Sequence, residues 1–207
     1  MRHALRQASW AAVLAGSLAG LAACSPALNW RTVQLDGSAG LQASFPCKPL
    51  HDERGVQVPG LPGPPVLMHM AACQAAQATW AVSYFDVQDV TQVSPALAAN
   101  GQSLRNNLQA EQSSRAGGAS SPPLTAQDLG DSAIPGMTPN PQAKHWRLLT
   151  QRPDDSGAMV AFEVHAWHFS HGLKVFQATL WRPVPPADAN DSTESVETFA
   201  QGFKFSG

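Results

Sequence analysis

Residues 159–182 read MVAFEVHAWHFSHGLKVFQATLWR, and the folding of this stretch decides the rest. Val160, Phe162, Val164 and Ala166 recur at every second position, as do Phe176, Ala178 and Leu180. Strand side chains alternate between faces, so a period of two means strand where a period of 3.6 would mean helix. His171-Gly172 breaks the pattern, and glycine tolerates the backbone of a tight reversal. The stretch therefore reads as a long antiparallel hairpin, Met159–Phe169 and Leu173–Arg182. Val160 to Ala166 point one way, and Phe176, Ala178 and Leu180 are expected to pack beside them.

The hairpin also holds the most tempting chemistry. His165, His168 and His171 are spaced by three, which on a helix would gather them on one face. On a strand, His165 and His171 face one way and His168 the other. Glu163 stands beside His165 at i, i+2, so Glu163, His165 and His171 are the candidate ligands for zinc or copper. The plainer reading is histidines on the rim of a hairpin, with no cofactor.

Outward from the hairpin, short alternating segments recur. Trp30, Val33 and Leu35 run into Asp36-Gly37, and Leu41, Ala43 and Phe45 resume, a hairpin over Asn29–Pro46. Pro46 and Pro49 close it, and four prolines between Gly55 and Pro65 make that segment a loop or an edge. VLMHMAAC and TWAVSYFDV are two further strands, with Trp80, Val82 and Tyr84 on one face and Ala81, Ser83 and Phe85 on the other. Ser94-Pro95 opens a helix as N-cap and first helical residue, and Leu97, Leu104 and Leu108 form its apolar stripe. Residues 116–123 are Gly/Ser/Pro-rich and read as a loop. Short strands are expected around Asp128–Ala133 and His145–Thr150, and PDDSG as a turn. Asp191 with Glu194 resembles a capping box, opening a last helix whose face is Val196, Phe199, Ala200 and Phe203. Strands with one helix mid-chain and one at the end argue an α+β class, an antiparallel sheet flanked by helices.

The order of FPCKP (45–49), WAVSYFDV (80–87), LGDSAIPGMTP (129–139), GLKVFQATL (172–180) and FAQGFKF (199–205) resembles the PsbP-like family. The resemblance implies an α-β-α sandwich over roughly Trp30 to Phe205. It also implies a scaffold that binds or supports other proteins without shared catalytic machinery, so no catalytic residue carries over.

The start of the chain reads as an address. Arg2 and Arg6, with no acidic residue, precede a moderately apolar run from Ala8 to Ala23, as in a secretory signal. A spanning helix needs about 20 strongly apolar residues; this run is shorter, and an uncleaved anchor is the alternative. Leu21-Ala22-Ala23-Cys24 resembles, residue by residue, the lipobox of bacterial lipoproteins. That implies a diacylglyceryl group on Cys24, cleavage before it and usually acylation of the new amino terminus. One acyl chain holds a protein marginally; two or more hold it stably. Ser25, rather than the Asp that retains lipoproteins at the inner membrane, is permissive for the outer membrane. The expected organisation is a signal over 1–23, a lipidated tether over 24–28 and a single domain over 29–207.

Loss of residues 1–23 leaves 184, one domain's worth. It removes two of the 13 basic side chains, so 11 face 15 acidic ones, a formal charge of −4. The remaining Lys and Arg are scattered, which argues against nucleic acid as a partner. With Cys24 lipidated, Cys47 and Cys73 remain as a natural disulfide pair in an oxidising compartment; a redox pair would more typically show C-x-x-C spacing. No G-x-S-x-G is present, and Asp154-Asp155 and Glu194/Glu197 have simpler places in a turn and a helix start. Asp36, Asp52 and Glu53 are loop charges by context. Trp80, Trp146, Trp167 and Trp181 on strands would be core, or would line a pocket or a protein-binding face. The expected function is a lipid-anchored envelope lipoprotein, a non-catalytic module that docks an envelope protein or supports assembly. The alternative is a periplasmic metal-binding or hydrolytic protein built on the His165/His171 hairpin.

Overall fold

The computed structural model describes residues 28–115, 124–154, 156–185 and 191–206. The expected signal, Cys24 and most of its tether, and the 116–123 loop lie outside these residues. Two antiparallel sheets form. The small one has the order β1-β2-β10, from β1 (Arg31–Gln34), β2 (Leu41–Phe45) and β10 (Lys204–Phe205). The large one is built from β3 (Leu50–Val56), β4 (Val66–Ala75), β5 (Ala78–Asp86), β6 (Thr125–Asp131), β7 (Lys144–Pro153), β8 (Met159–His171) and β9 (Lys174–Pro183). Its order is β3-β4-β5-β9-β8-β7-β6, so the hairpin β8–β9 lies at its centre. Two helices complete the fold, α1 (Val93–Arg115) and α2 (Asp191–Gln201).

Parity sorts the core. Trp80, Val82 and Tyr84 of β5 join Trp167 and Phe169 of β8 and Phe176, Ala178 and Leu180 of β9 on one face of the large sheet. This face is covered by Leu41, Ala43 and Phe45 of β2 and by Phe199 of α2 with Phe203 just beyond it. On the opposite face α1 lays Val93, Ala96 and Leu97 against Phe85, Val87 and Val175, and Leu104 and Leu108 against Leu148, Val164 and Ala166. The expected stripe of Leu97, Leu104 and Leu108 is thus buried.

The expected PsbP-like α-β-α sandwich, an antiparallel sheet flanked by helices, is corrected. Strand accounts for 48% and helix for 21%, in two antiparallel sheets with only two α-helices among the described residues. The reason is reach. Seven strands at about 4.8 Å span roughly 29 Å, whereas the 11 residues of α2 extend only about 16 Å. The small sheet shares the burial of that face, so the first hairpin is a covering layer.

Local corrections have equally local causes. The helix is introduced by a 3₁₀ turn, Val90–Gln92, whose N-cap is Asp89, accepting from the Thr91 N–H at 2.8 Å. Ser94, expected as the cap, instead exchanges hydrogen bonds with the Asn140 side chain. The Asp191 side chain lies outside the described side chains, so the expected capping box is not placed. Phe176, Ala178 and Leu180 do not pack beside Val164 and Ala166. The register pairs them with Phe169, Trp167 and His165, on the other face. Strand β3 went unread because LHDERGV has no buried face, being exposed along almost its whole length and held by pairing to β4. Its Asp52, Glu53 and Arg54 guard an open edge against further pairing. Between β4 and β5 the chain turns through Ala76 and Gln77, both at positive φ (50° and 59°), without the glycine or asparagine such a turn prefers.

Cys47 and Cys73 are bonded. The bridge ties the segment leaving the small sheet to β4 of the large one. Closing a loop across a sequence separation of 26 contributes about 3.5 kcal/mol on the chain-entropy estimate. The double substitution Cys47→Ser/Cys73→Ser is expected to lower Tm by about 7–14 °C, read by thermal circular dichroism; an unchanged Tm would refute the clamp. No helix among the described residues is long and apolar enough to cross a membrane.

Candidate functional site

The candidate residues of the hairpin sit where β7, β8 and β9 meet the start of α2. Antiparallel register places Glu163 opposite Arg182 of β9 and His165 opposite Arg147 of β7, all on the α2 side. The Glu163 carboxylate is only 2% exposed and is held from both sides. Arg147 donates to Oε2 from Nη2 at 2.6 Å and from Nε at 2.8 Å, and Arg182 donates from Nε to Oε1 at 2.8 Å. Arg182 also reaches Ser195 of α2 with Nη1, at 3.0 Å. This ties the helix to the sheet through the ion cluster.

Burial by itself raises the Glu163 pKa, but the hydrogen bonds from Arg182 and Arg147 outweigh it and hold the carboxyl below the usual range. Beside it, His165 Nε2 lies 3.9 Å from Oε2. His165 Nδ1 is 3.1 Å from His145 Nε2, so one imidazole donates and the other accepts. His145 stacks on Trp167 with centroids 4.4 Å apart, and Trp167 meets Phe199 of α2 edge-on. Burial is the main cause that pushes His145 and His165 down to about 4. Both are therefore neutral near pH 7.

The three candidate metal ligands do not converge. Glu163 and His165 are neighbours, but His171 stands six residues further along the strand, roughly 20 Å away. There His171 bonds the Gly136 carbonyl through Nδ1 at 2.8 Å and stacks on Phe205 at 4.3 Å. Among the described residues no group of three His, Cys, Asp or Glu side chains could hold a metal. Two guanidiniums around one carboxylate leave the locality net positive, which repels a divalent cation, and a carboxylate of lowered pKa is a weak general base. His168 faces α1, as its parity predicts; it is 1% exposed and lies 3.0 Å from the Gln177 side chain through Nε2. Asp154 accepts from the Ser156 and Ala158 backbone as a turn residue, while Glu194 and Glu197 point to solvent. Trp80 and Trp167 are core. Trp146 and Trp181 lie half-buried on the α1 side, under Arg105 and Arg152 respectively.

Sequence reasoning missed His145, Arg147 and Arg182. Each shares parity with its neighbours on the same strand, but only the pairing register brings the three strands' residues together.

Fold and site together define a mainly β domain whose two sheets are disulfide-linked and whose sheet–helix junction is pinned by a buried carboxylate between two arginines. Compared with protein-family models, curated proteins and solved structures, the chain matches none of them.

Proposed function

We propose that this chain is a lipid-anchored lipoprotein of a bacterial envelope, a non-catalytic binding or assembly-supporting module that faces the periplasm. The observation that carries the reading is Leu21-Ala22-Ala23-Cys24 behind a charged and then apolar run, with the small residues a peptidase needs and the thiol an acyl donor modifies. Two further observations support it. The Cys47–Cys73 bond suits an oxidising compartment. The one buried carboxylate of the candidate hairpin is committed to Arg147 and Arg182, which makes it a structural tie.

The test is fractionation of cells expressing the full chain or its Cys24→Ser variant, with intact-mass measurement of the mature protein. The wild type is expected in the membrane fraction with added acyl mass and an amino terminus at Cys24. The variant is expected to lose both the acyl mass and membrane association. Mature protein without acyl mass, or cut elsewhere, overturns the anchor. Crosslinking in intact envelopes tests the module: failure to recover any specific partner counts against it.

A further inference from the structure

We propose that the cavity between α1 and β7 binds a small oxyanion, a carboxylate or a phosphate, with Arg105 as its principal contact. The cavity is about 340 Å³ and open to solvent, walled by α1 from Leu97 to Arg105 and floored by Trp146 and His168. Its charged lining is cationic, Arg105 and Lys144, joined by the amides of Gln102 and Gln142; Gln102 accepts from Arg105 through Oε1 and donates to Asn106 through Nε2. Among the described residues no acidic side chain lines it.

Arg105 carries the argument. Its guanidinium lies over the Trp146 ring, 4.8 Å from the centroid, and donates one N–H from Nη2 to Gln102 Oε1 at 3.0 Å. Among the described residues no carboxylate pairs with it, unlike Arg147, Arg152 and Arg182, each of which holds a glutamate. Partial burial against the indole without a counter-ion is costly, and burial indeed lowers the Arg105 pKa. A planar guanidinium fixed by stacking presents its remaining N–H groups in a fork that suits two oxygens of one oxyanion. Lys144 supplies a second positive charge at the rim. Its partner there, Asp131, is 76% exposed, so that pair is solvent-screened and readily shared.

Gly101 keeps the space open. A methyl group at this position would stand 3.5 Å from the Arg105 Nη1 and 3.6 Å from the His168 ring, in ordinary contact but inside the cavity. Helix propensity favours alanine over glycine, so Gly101→Ala narrows the site while keeping the fold.

The inference is independent of the acyl anchor. It is tested by isothermal titration of the full chain with inorganic phosphate and, separately, with succinate, each at constant ionic strength against a sodium chloride control. Saturable binding of either anion is expected, weakened at least tenfold in Arg105→Gln and in Gly101→Ala, with the circular dichroism spectrum of both variants unchanged. Which anion binds more tightly separates a phosphate-bearing from a carboxylate-bearing ligand. Heats no different from chloride for both anions, or wild-type affinity in Arg105→Gln, would overturn the proposal.

Discussion

Replacing Glu163 with glutamine is expected to destabilise the fold by about 3 kcal/mol, at the lower end of the cost of breaking a buried ion pair. The substitution keeps the shape but leaves Arg147 and Arg182 without their shared anion. Arg182 suffers most, its side chain being 12% exposed, whereas Arg147 at 34% recovers some hydration. The lower end of the range applies for that reason. Urea denaturation at pH 7 reads the effect as a shift in midpoint. The triple variant Glu163→Leu/Arg147→Met/Arg182→Met removes all three charges and is expected to regain most of the loss, because a buried cluster is expensive to break but far less so to replace entire. A single variant as stable as the wild type would show that Glu163 is no tie at all. Linkage adds a pH signature. Since the folded pKa of Glu163 lies below its unfolded value, its contribution is fully present above about pH 4.3, and is lost as pH falls through the folded pKa. Wild type and Glu163→Gln should therefore converge only in strong acid.

Between about pH 6.5 and 4 the wild type is expected to lose several kcal/mol of stability to three histidines. Burial, before any other cause, holds His145, His165 and His168 down to about 4 in the folded chain. An unfolded histidine titrates near 6.5. Above that value the two states bind the same protons and these groups contribute no pH dependence. Below it the unfolded chain takes up protons that the folded chain refuses, so stability falls until the folded pKa is reached and then levels off. For His168 alone the window corresponds to about 3 kcal/mol, and the His145–His165 pair adds to it as one coupled unit. Denaturation midpoints measured from pH 8 to pH 4 should follow this slope, and His168→Gln should flatten it by about one proton's worth whatever the variant's stability at pH 8. An unaltered slope in that variant would mean that His168 takes up its proton equally in the folded and unfolded chain, so that burial does not hold it down.

Much of the architecture was legible because alternation survives wherever one face of a strand is dry. The central hairpin was read at Met159–Phe169 and Leu173–Arg182 and forms as Met159–His171 and Lys174–Pro183. The Trp80/Val82/Tyr84 face of β5 and the leucine stripe of α1 likewise followed from periodicity. Where both faces are wet, as in β3, pattern carried nothing. Where a hydroxyl had two good uses, as at Ser94, local rules chose the cap and Asn140 took the bond. The site was half legible. Glu163 beside His165 is a matter of adjacent same-face positions, but the two arginines that neutralise Glu163 come from strands 16 positions before it and 19 after it.

The amino-acid order alone determined both helices and the strands with one dry face, the alternation that splits His168 from His165 and His171, and, on the expectation that Cys24 carries lipid, the pairing of Cys47 with Cys73. Those properties depend on short-range geometry or on simple elimination. Tertiary structure alone decided that the first hairpin is a separate covering sheet, that Arg147 and Arg182 close on Glu163, and that Arg105 lines a cavity with no acidic partner among the described residues. Each of these follows from which strands pair and in what register, and that is settled by burying a whole sheet face at once.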